Sequence, residues 1–97
     1  MIPVILRKVA TAELNEAYGW YQGEQAGLGE RFLEEFESLC RRIAENPFQF
    51  PVVYRDVHRA LFRRFPYSLF FKVHNNEAVV IACFHAHRNP TIWEKRL

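Results

Sequence analysis

Several things are scarce in this chain of 97 residues. There are two cysteines, which excludes a disulfide-dense mini-protein, and four glycines and five prolines with no repeat, which excludes collagen-like and low-complexity chains. The longest uninterrupted apolar run, Ala78 to Phe84, is seven residues, far short of the ~20 that a membrane-spanning helix needs. No membrane partner is therefore expected. Met1-Ile2-Pro3 leads directly into structure-like sequence with no basic-then-apolar leader, so a cytoplasmic location is expected. What is present is ordinary for a soluble globular protein: 49% hydrophobic and 25% charged residues. A chain of this length holds one core and has no room for a second.

Charge is unevenly placed. The total is +2, yet residues 1–48 carry five Lys or Arg against eight glutamates, a balance of −3. Residues 49–97 carry eight Lys or Arg against Asp56, Glu77 and Glu94, a balance of +5, and all four histidines (His58, His74, His85, His87) lie there. Such asymmetry points either to an anionic partner or to one solvated basic face.

The pattern of apolar residues gives the element order. Ile2 to Val9 reads as a strand. Thr11 is a plausible helix N-cap with Glu13 in the first turn, and Leu14, Ala17, Tyr18 and Tyr21 then recur on one helical face. Gly23, Gly27 and Gly29 break that pattern. A second helix begins near Leu28, with a stripe of Phe32, Leu33, Phe36, Leu39, Cys40, Ile43 and Ala44, and Asn46-Pro47 ends it. Arg59 to Phe65, Ser68 to His74 and Ala78 to His85 read as three antiparallel strands, with Asn75-Asn76 as a turn. The last strand is apolar on both faces and so central. Helices segregate from strands, which defines an α+β fold with an antiparallel helical hairpin on one face of a three- to four-stranded, largely antiparallel sheet. Phe32, Phe36, Phe65, Phe70, Phe71, Phe84 and one or both tryptophans are the expected core.

Few residues suggest chemistry. Cys40 and Cys83 sit in apolar stretches with no Cys-x-x-Cys partner and read as reduced, buried thiols. His85 and His87 share a face of the strand, but the further ligands of a metal site are missing, so neither metal nor cofactor is expected. For His85 the expected role is a hydrogen bond to a backbone carbonyl at the sheet edge. Arg59, Leu61 and Arg63 alternate with Ala60, Phe62 and Arg64 along one strand, so at most two of the three arginines converge on a ligand. Lys72 and Arg88 extend a cationic patch suited to phosphates or acidic side chains. No Gly-rich phosphate loop, Ser-His-Asp pattern or carboxylate pair is present.

In this order, Trp20-Tyr21, Gly27-Leu28-Gly29, Asn46-Pro47, Arg64-Phe65-Pro66-Tyr67 and His87-Arg88-Asn89-Pro90 with Trp93 resemble the RelE/ParE toxin superfamily. The similarity runs from Ala12 to Arg96 and implies one toxin domain over residues 1–97. It implies a small bacterial toxin of the plasmid-stabilisation kind, silenced by a cognate antitoxin protein. ParE-like members block DNA gyrase, whereas RelE-like members cleave messenger RNA on the ribosome. A RelE-like enzyme needs a proton acceptor, a donor and cations at the phosphate. His87, Arg63 and Arg88 are the candidates for those catalytic roles. Against them, many RelE-like nucleases carry a tyrosine near the C-terminus, and the last tyrosine here is Tyr67. The ParE-like reading is favoured, with the RelE-like endonuclease as its alternative; a degenerate member that only binds its antitoxin also fits. Arg59, Arg63, Arg64, Lys72, His87, Arg88 and Trp93 are the expected contacts to target or antitoxin. Direct sequence-specific DNA binding is not expected from this chain alone.

Overall fold

A computed structural model describes residues 1–97. In chain order the elements are β1 (Val4–Leu6), α1 (Lys8–Glu24), α2 (Leu28–Glu45), a single 3-10 turn (Pro47–Gln49), β2 (Val52–Tyr54), β3 (Val57–Leu61), β4 (Tyr67–His74), β5 (Glu77–His85) and α3 (Thr91–Glu94). The five strands form one sheet in the order β1-β5-β4-β3-β2. Pairing is antiparallel except between β1 and β5, which run parallel. The class is α+β, as the sequence indicated, with five strands in the sheet where three to four were expected.

Local chemistry explains most boundaries. Asn75 and Asn76 take φ of 50° and 60°, the left-handed pair that a two-residue hairpin between β4 and β5 requires. Gly27 ends the link between the helices at φ 88°, where a side chain is strained. Gly29 opens α2 so close to α1 that a Cβ there would lie 2.8 Å from Tyr18 Cε1 and Gln22 Oε1. Its N–H donates to Gln22 Oε1 at 3.0 Å, which ties the two helices together at the turn. Asn46 accepts from the Phe48 N–H and caps the 3-10 turn.

The helical hairpin packs on one sheet face, as expected. Ala10, Leu14, Ala17 and Tyr21 of α1 and Phe32, Leu39 and Ile43 of α2 meet Ala60, Leu69, Phe71, Ala78, Val80 and Cys83 of the strands. Phe32 stacks on Phe62 at 4.9 Å and meets Phe65 edge-on at 5.1 Å. His58, also buried on this face, donates from Nδ1 to the Phe50 carbonyl at 2.8 Å.

Several expectations need correction. Phe70, Phe84 and Trp93 do not join that core. They form a second buried cluster with Val57, Ile81 and Ala82 on the opposite sheet face. That face is therefore partly covered, by α3 and Tyr54, and not open throughout. A bulge at Ile81, where Phe71 pairs with Val80 but Phe70 with Ala82, places Ile81 and Ala82 on the same side. The first strand is only three residues long, and α1 starts at Lys8. Thr11 thus lies within α1 and is no cap; Arg7 stands at the N-cap without a side-chain bond. The strand read as Arg59 to Phe65 is displaced to Val57–Leu61, because the Phe62 N–H turns to the Tyr67 carbonyl and the Tyr67 N–H to the Phe65 carbonyl. No helix is long and apolar enough to cross a membrane.

Candidate functional site

The expected cationic patch is divided among three places. Arg59 and Lys72 project from β3 and β4 on the face away from the helical hairpin, where Arg59 pairs across the strands with Phe70. Lys72 lies 3.9 Å from Asp56. Arg63 and Arg64 have left the strand for the bend before β4. Both of their backbone N–H groups donate to Oε1 of Glu35 on α2, at 3.0 Å for Arg64. Arg88 stands beyond β5 and is drawn to α1. The alternation along Arg59 to Arg64 that would have paired Arg59 with Arg63 is lost at Phe62.

Arg63 and Arg64 line a groove of about 540 Å³ against α2. Arg31 and Arg42 complete its cationic wall, Leu61 is an exposed apolar contact in it, and Glu35 is held by the backbone of the bend. None of these four guanidinium groups has a carboxylate within 4.0 Å. Arg42 instead lies over the Phe50 ring at 5.2 Å. Glu34 and Glu35 also line the groove, so its four arginines leave it a formal balance of +2. Neither Arg31 nor Arg42 stood out in the sequence, because each looked like a solvated residue of an acidic helix.

A second groove of about 750 Å³ runs between α1 and the ends of β4 and β5. Its walls are aromatic: Trp20, Tyr21, Tyr67 and His85, with Pro66 and Glu16 beside them. Trp20 is 61% exposed and meets Tyr21 edge-on at 5.1 Å. Burial raises the Tyr21 hydroxyl pKa above its ordinary range. Burial also raises that of Tyr67, helped by Tyr21, Cys83 and Glu16 and opposed by Arg88. Both phenols therefore remain protonated near neutrality.

Beneath this groove lies a polar knot that the sequence did not reveal. Glu13, expected only as a first-turn residue, has its side chain 10% exposed and bonds to three groups. Its carboxylate accepts from the Cys83 N–H at 3.1 Å, from Arg88 Nη1 at 3.0 Å, and from both Nη atoms of Arg96 at 3.0 and 2.9 Å. Arg96 also donates to the Ile81 carbonyl at 3.0 Å. β1 pairs with β5 only as far as Val80, so these two side chains satisfy the free edge of β5 beyond it. The available signal was the spacing: Glu13 and Ala17 are four apart, so both lie on the buried side of α1.

Neither His85 nor His87 is hydrogen-bonded to these cations. His85 Nδ1 accepts from the His87 N–H at 3.0 Å, so its partner is a backbone N–H and not the carbonyl expected. The two rings lie 5.3 Å apart, and no three His, Cys, Asp or Glu residues are placed to hold a metal ion. Trp93, expected at a contact surface, is 2% exposed and stacks on Phe70 at 4.3 Å. The thiols of Cys40 and Cys83 are pushed up to about 11 and about 12, chiefly by burial, with Glu37 and Glu13 respectively adding to the shift.

A family model described as "ParE toxin of type II toxin-antitoxin system, parDE" matches residues 4–90. The chain belongs to the ParE toxin family. Membership implies an antitoxin partner, and the match ends just before α3. Among solved structures, a chain of the "Chromosomal ParDE TA system from P. aeruginosa" shares the ParE-like fold, with a TM-score of 0.74 and 18% sequence identity. The alignment covers 90% of this chain and 98% of that one. No curated protein sequence matches the chain. Of the residues proposed for RNA cleavage in this ParE-family chain, Arg63 lines one groove, Arg88 the other, and His87 neither.

Proposed function

We propose that this ParE-family chain is a toxin that inhibits DNA gyrase by protein–protein contact and that a cognate antitoxin neutralises it. The observation carrying this reading is the separation of the groups that RNA cleavage would need together. Arg63 faces α2, Arg88 is bound to Glu13, and His87 lies in the turn after β5. Stabilising a developing phosphate charge requires donors fixed around one point, whereas Arg63 and Arg88 line different grooves. The grooves suit protein ligands instead. The aromatic groove presents Trp20, Tyr21 and Tyr67, residue types that dominate protein interfaces. The cationic groove accepts an acidic segment of an antitoxin through its four arginines.

Induced expression in growing cells tests the reading. The topoisomers of a reporter plasmid and the 5′ ends of abundant messages are followed together, with and without the neighbouring small open reading frame. Loss of negative supercoiling with intact messages, reversed by the neighbour, is the expected result. Cleaved messages with normal supercoiling would replace it with the RelE-like reading, and harmless expression would leave a chain that only binds its antitoxin.

A further inference from the structure

The bend between β3 and β4 offers two consecutive backbone N–H groups, those of Arg63 and Arg64, to one oxygen. That oxygen is Oε1 of Glu35 on α2, 3.0 Å from the Arg64 nitrogen. Successive main-chain donors aimed at one point make an anion seat, and here the chain's own carboxylate fills it. The seat belongs to the groove of about 540 Å³ whose lining includes Arg31, Arg42, Arg63 and Arg64. Glu35 makes no use of their guanidinium groups, none of which lies within 4.0 Å of a carboxylate. The resident anion therefore satisfies the backbone and leaves the charged donors open. Arg31, Arg63 and Arg64 are exposed and Glu35 is half-buried, so the groove is open to an incoming ligand.

We infer that Glu35 is a stand-in for a carboxylate of a partner protein, which takes over the Arg63 and Arg64 N–H groups and adds bonds to the guanidinium groups that Glu35 leaves unused. This rests on the reading of the groove as the seat of an acidic segment, and it adds the point of attachment and an internal competitor. The exchange favours a ligand that pairs with arginine through charge-assisted, forked bonds, while the released Glu35 side chain returns to water. The groove lining decides between a carboxylate and a nucleic-acid backbone. A phosphate chain carries a charge at every link and is held by a row of cations. Here Glu34 and Glu35 interrupt the cations, and Leu28 and the exposed Leu61 add apolar contacts. A segment of mixed acidic and apolar side chains matches that surface.

The affinity of the intact chain for a capped hexapeptide of glutamate and leucine provides the test, with inorganic phosphate as the second probe. Backbone amide signals of Arg63 and Arg64 in the ¹⁵N-labelled protein report on the seat. Glu34 lines the same groove but accepts no bond from the bend, so Glu34→Ala controls for the loss of charge alone. Glu35→Ala should tighten peptide binding roughly tenfold or more, as freeing two donors for a charged acceptor implies. Glu34→Ala should change it only about twofold. Glu35→Gln, which keeps the side-chain shape with a weaker acceptor, should fall between them and guards against disturbance of the bend by alanine. In Glu35→Ala the peptide should move both amide signals downfield to saturation. Glu35 variants that bind no tighter than Glu34→Ala, or amide signals that stay fixed while the peptide binds, would overturn the exchange and leave the groove reading in place. A peptide that binds no variant would overturn both. Saturation by phosphate at lower concentration than by the peptide would overturn the carboxylate assignment.

Discussion

Removing the Glu13 carboxylate should be the most damaging single change to a polar side chain in this protein. Glu13→Ala leaves Arg96, whose side chain is 17% exposed, without its ion-pair partner and the Cys83 N–H without an acceptor. Breaking a buried pair from one side costs about 3–5 kcal/mol, and the stranded N–H is part of that figure, not an addition to it. The Arg88 arm contributes little, since its side chain is 45% exposed and solvent screens it; Arg88→Ala should cost less than about 1 kcal/mol. Arg96→Ala should cost about 1.5–3 kcal/mol, the worth of hydrogen bonds to a charged group. Glu13→Gln, which retains an acceptor for Cys83, should fall below Glu13→Ala. Domains of this size are stable by only about 5–15 kcal/mol. Glu13→Ala should therefore lower the melting temperature by about 12–40 °C, at about 4–8 °C per kcal/mol. Urea unfolding followed by circular dichroism measures the series, with midpoints compared at constant slope. Arg88→Ala costing as much as Glu13→Ala, or Glu13→Ala within about 1 kcal/mol of the parent chain, would refute the knot as the anchor of the β5 edge.

Three further outcomes are expected. Above about pH 9 the unfolded chain releases thiol protons that the folded chain keeps, because burial raises Cys40 to about 11 and Cys83 to about 12. Stability should therefore be unaffected by these groups below pH 9 and fall as pH rises toward 12. The raised tyrosines Tyr21 and Tyr67 add to the fall with the same sign. Urea midpoints at pH 8 and pH 10 check this, and replacing both cysteines by alanine should flatten the slope without abolishing it. Gly29→Ala should destabilise the chain by about 1–3 kcal/mol, since its methyl group would press within 2.8 Å of Tyr18 and Gln22; a midpoint unchanged in urea would show that those side chains simply yield. Trp20→Ala should leave the melting temperature nearly unchanged, given its 61% exposure, yet weaken partner binding by about 2 kcal/mol, roughly 30-fold, as loss of an interface aromatic does. Calorimetry with the partner would decide it, and an unaltered affinity would remove the aromatic groove from recognition.

The helical hairpin and the β4–β5 hairpin were legible because periodicity and turn chemistry act locally. The stripe from Phe32 to Ala44 needs only a helix to line it up, and Asn75-Asn76 needs only its own backbone. The ends of β1 and β3 were not legible, since they depend on distant groups. Glu35 draws off the Arg63 and Arg64 N–H groups, and the Phe62 N–H turns to Tyr67. The second core on the opposite sheet face was hidden for a similar reason: Phe70, Phe84 and Trp93 look like any other core aromatics until the strand register assigns them a side. The candidate site was legible in kind and not in arrangement. Arginine content suggested an anionic partner, but Arg59 lies on the sheet face away from the hairpin, Arg63 lies against α2 and Arg88 is bound to α1. Arg31 and Arg42 were concealed by the glutamates around them in α2.

A gyrase supercoiling assay with purified protein, run beside translating ribosomes carrying end-labelled message, bears most directly on the claim that this ParE-family toxin works by contact alone. Inhibited supercoiling with full-length message is the predicted result, and Arg63→Ala should weaken the antitoxin's ability to restore gyrase activity. Message cut at the ribosomal A site, with supercoiling untouched, would contradict it.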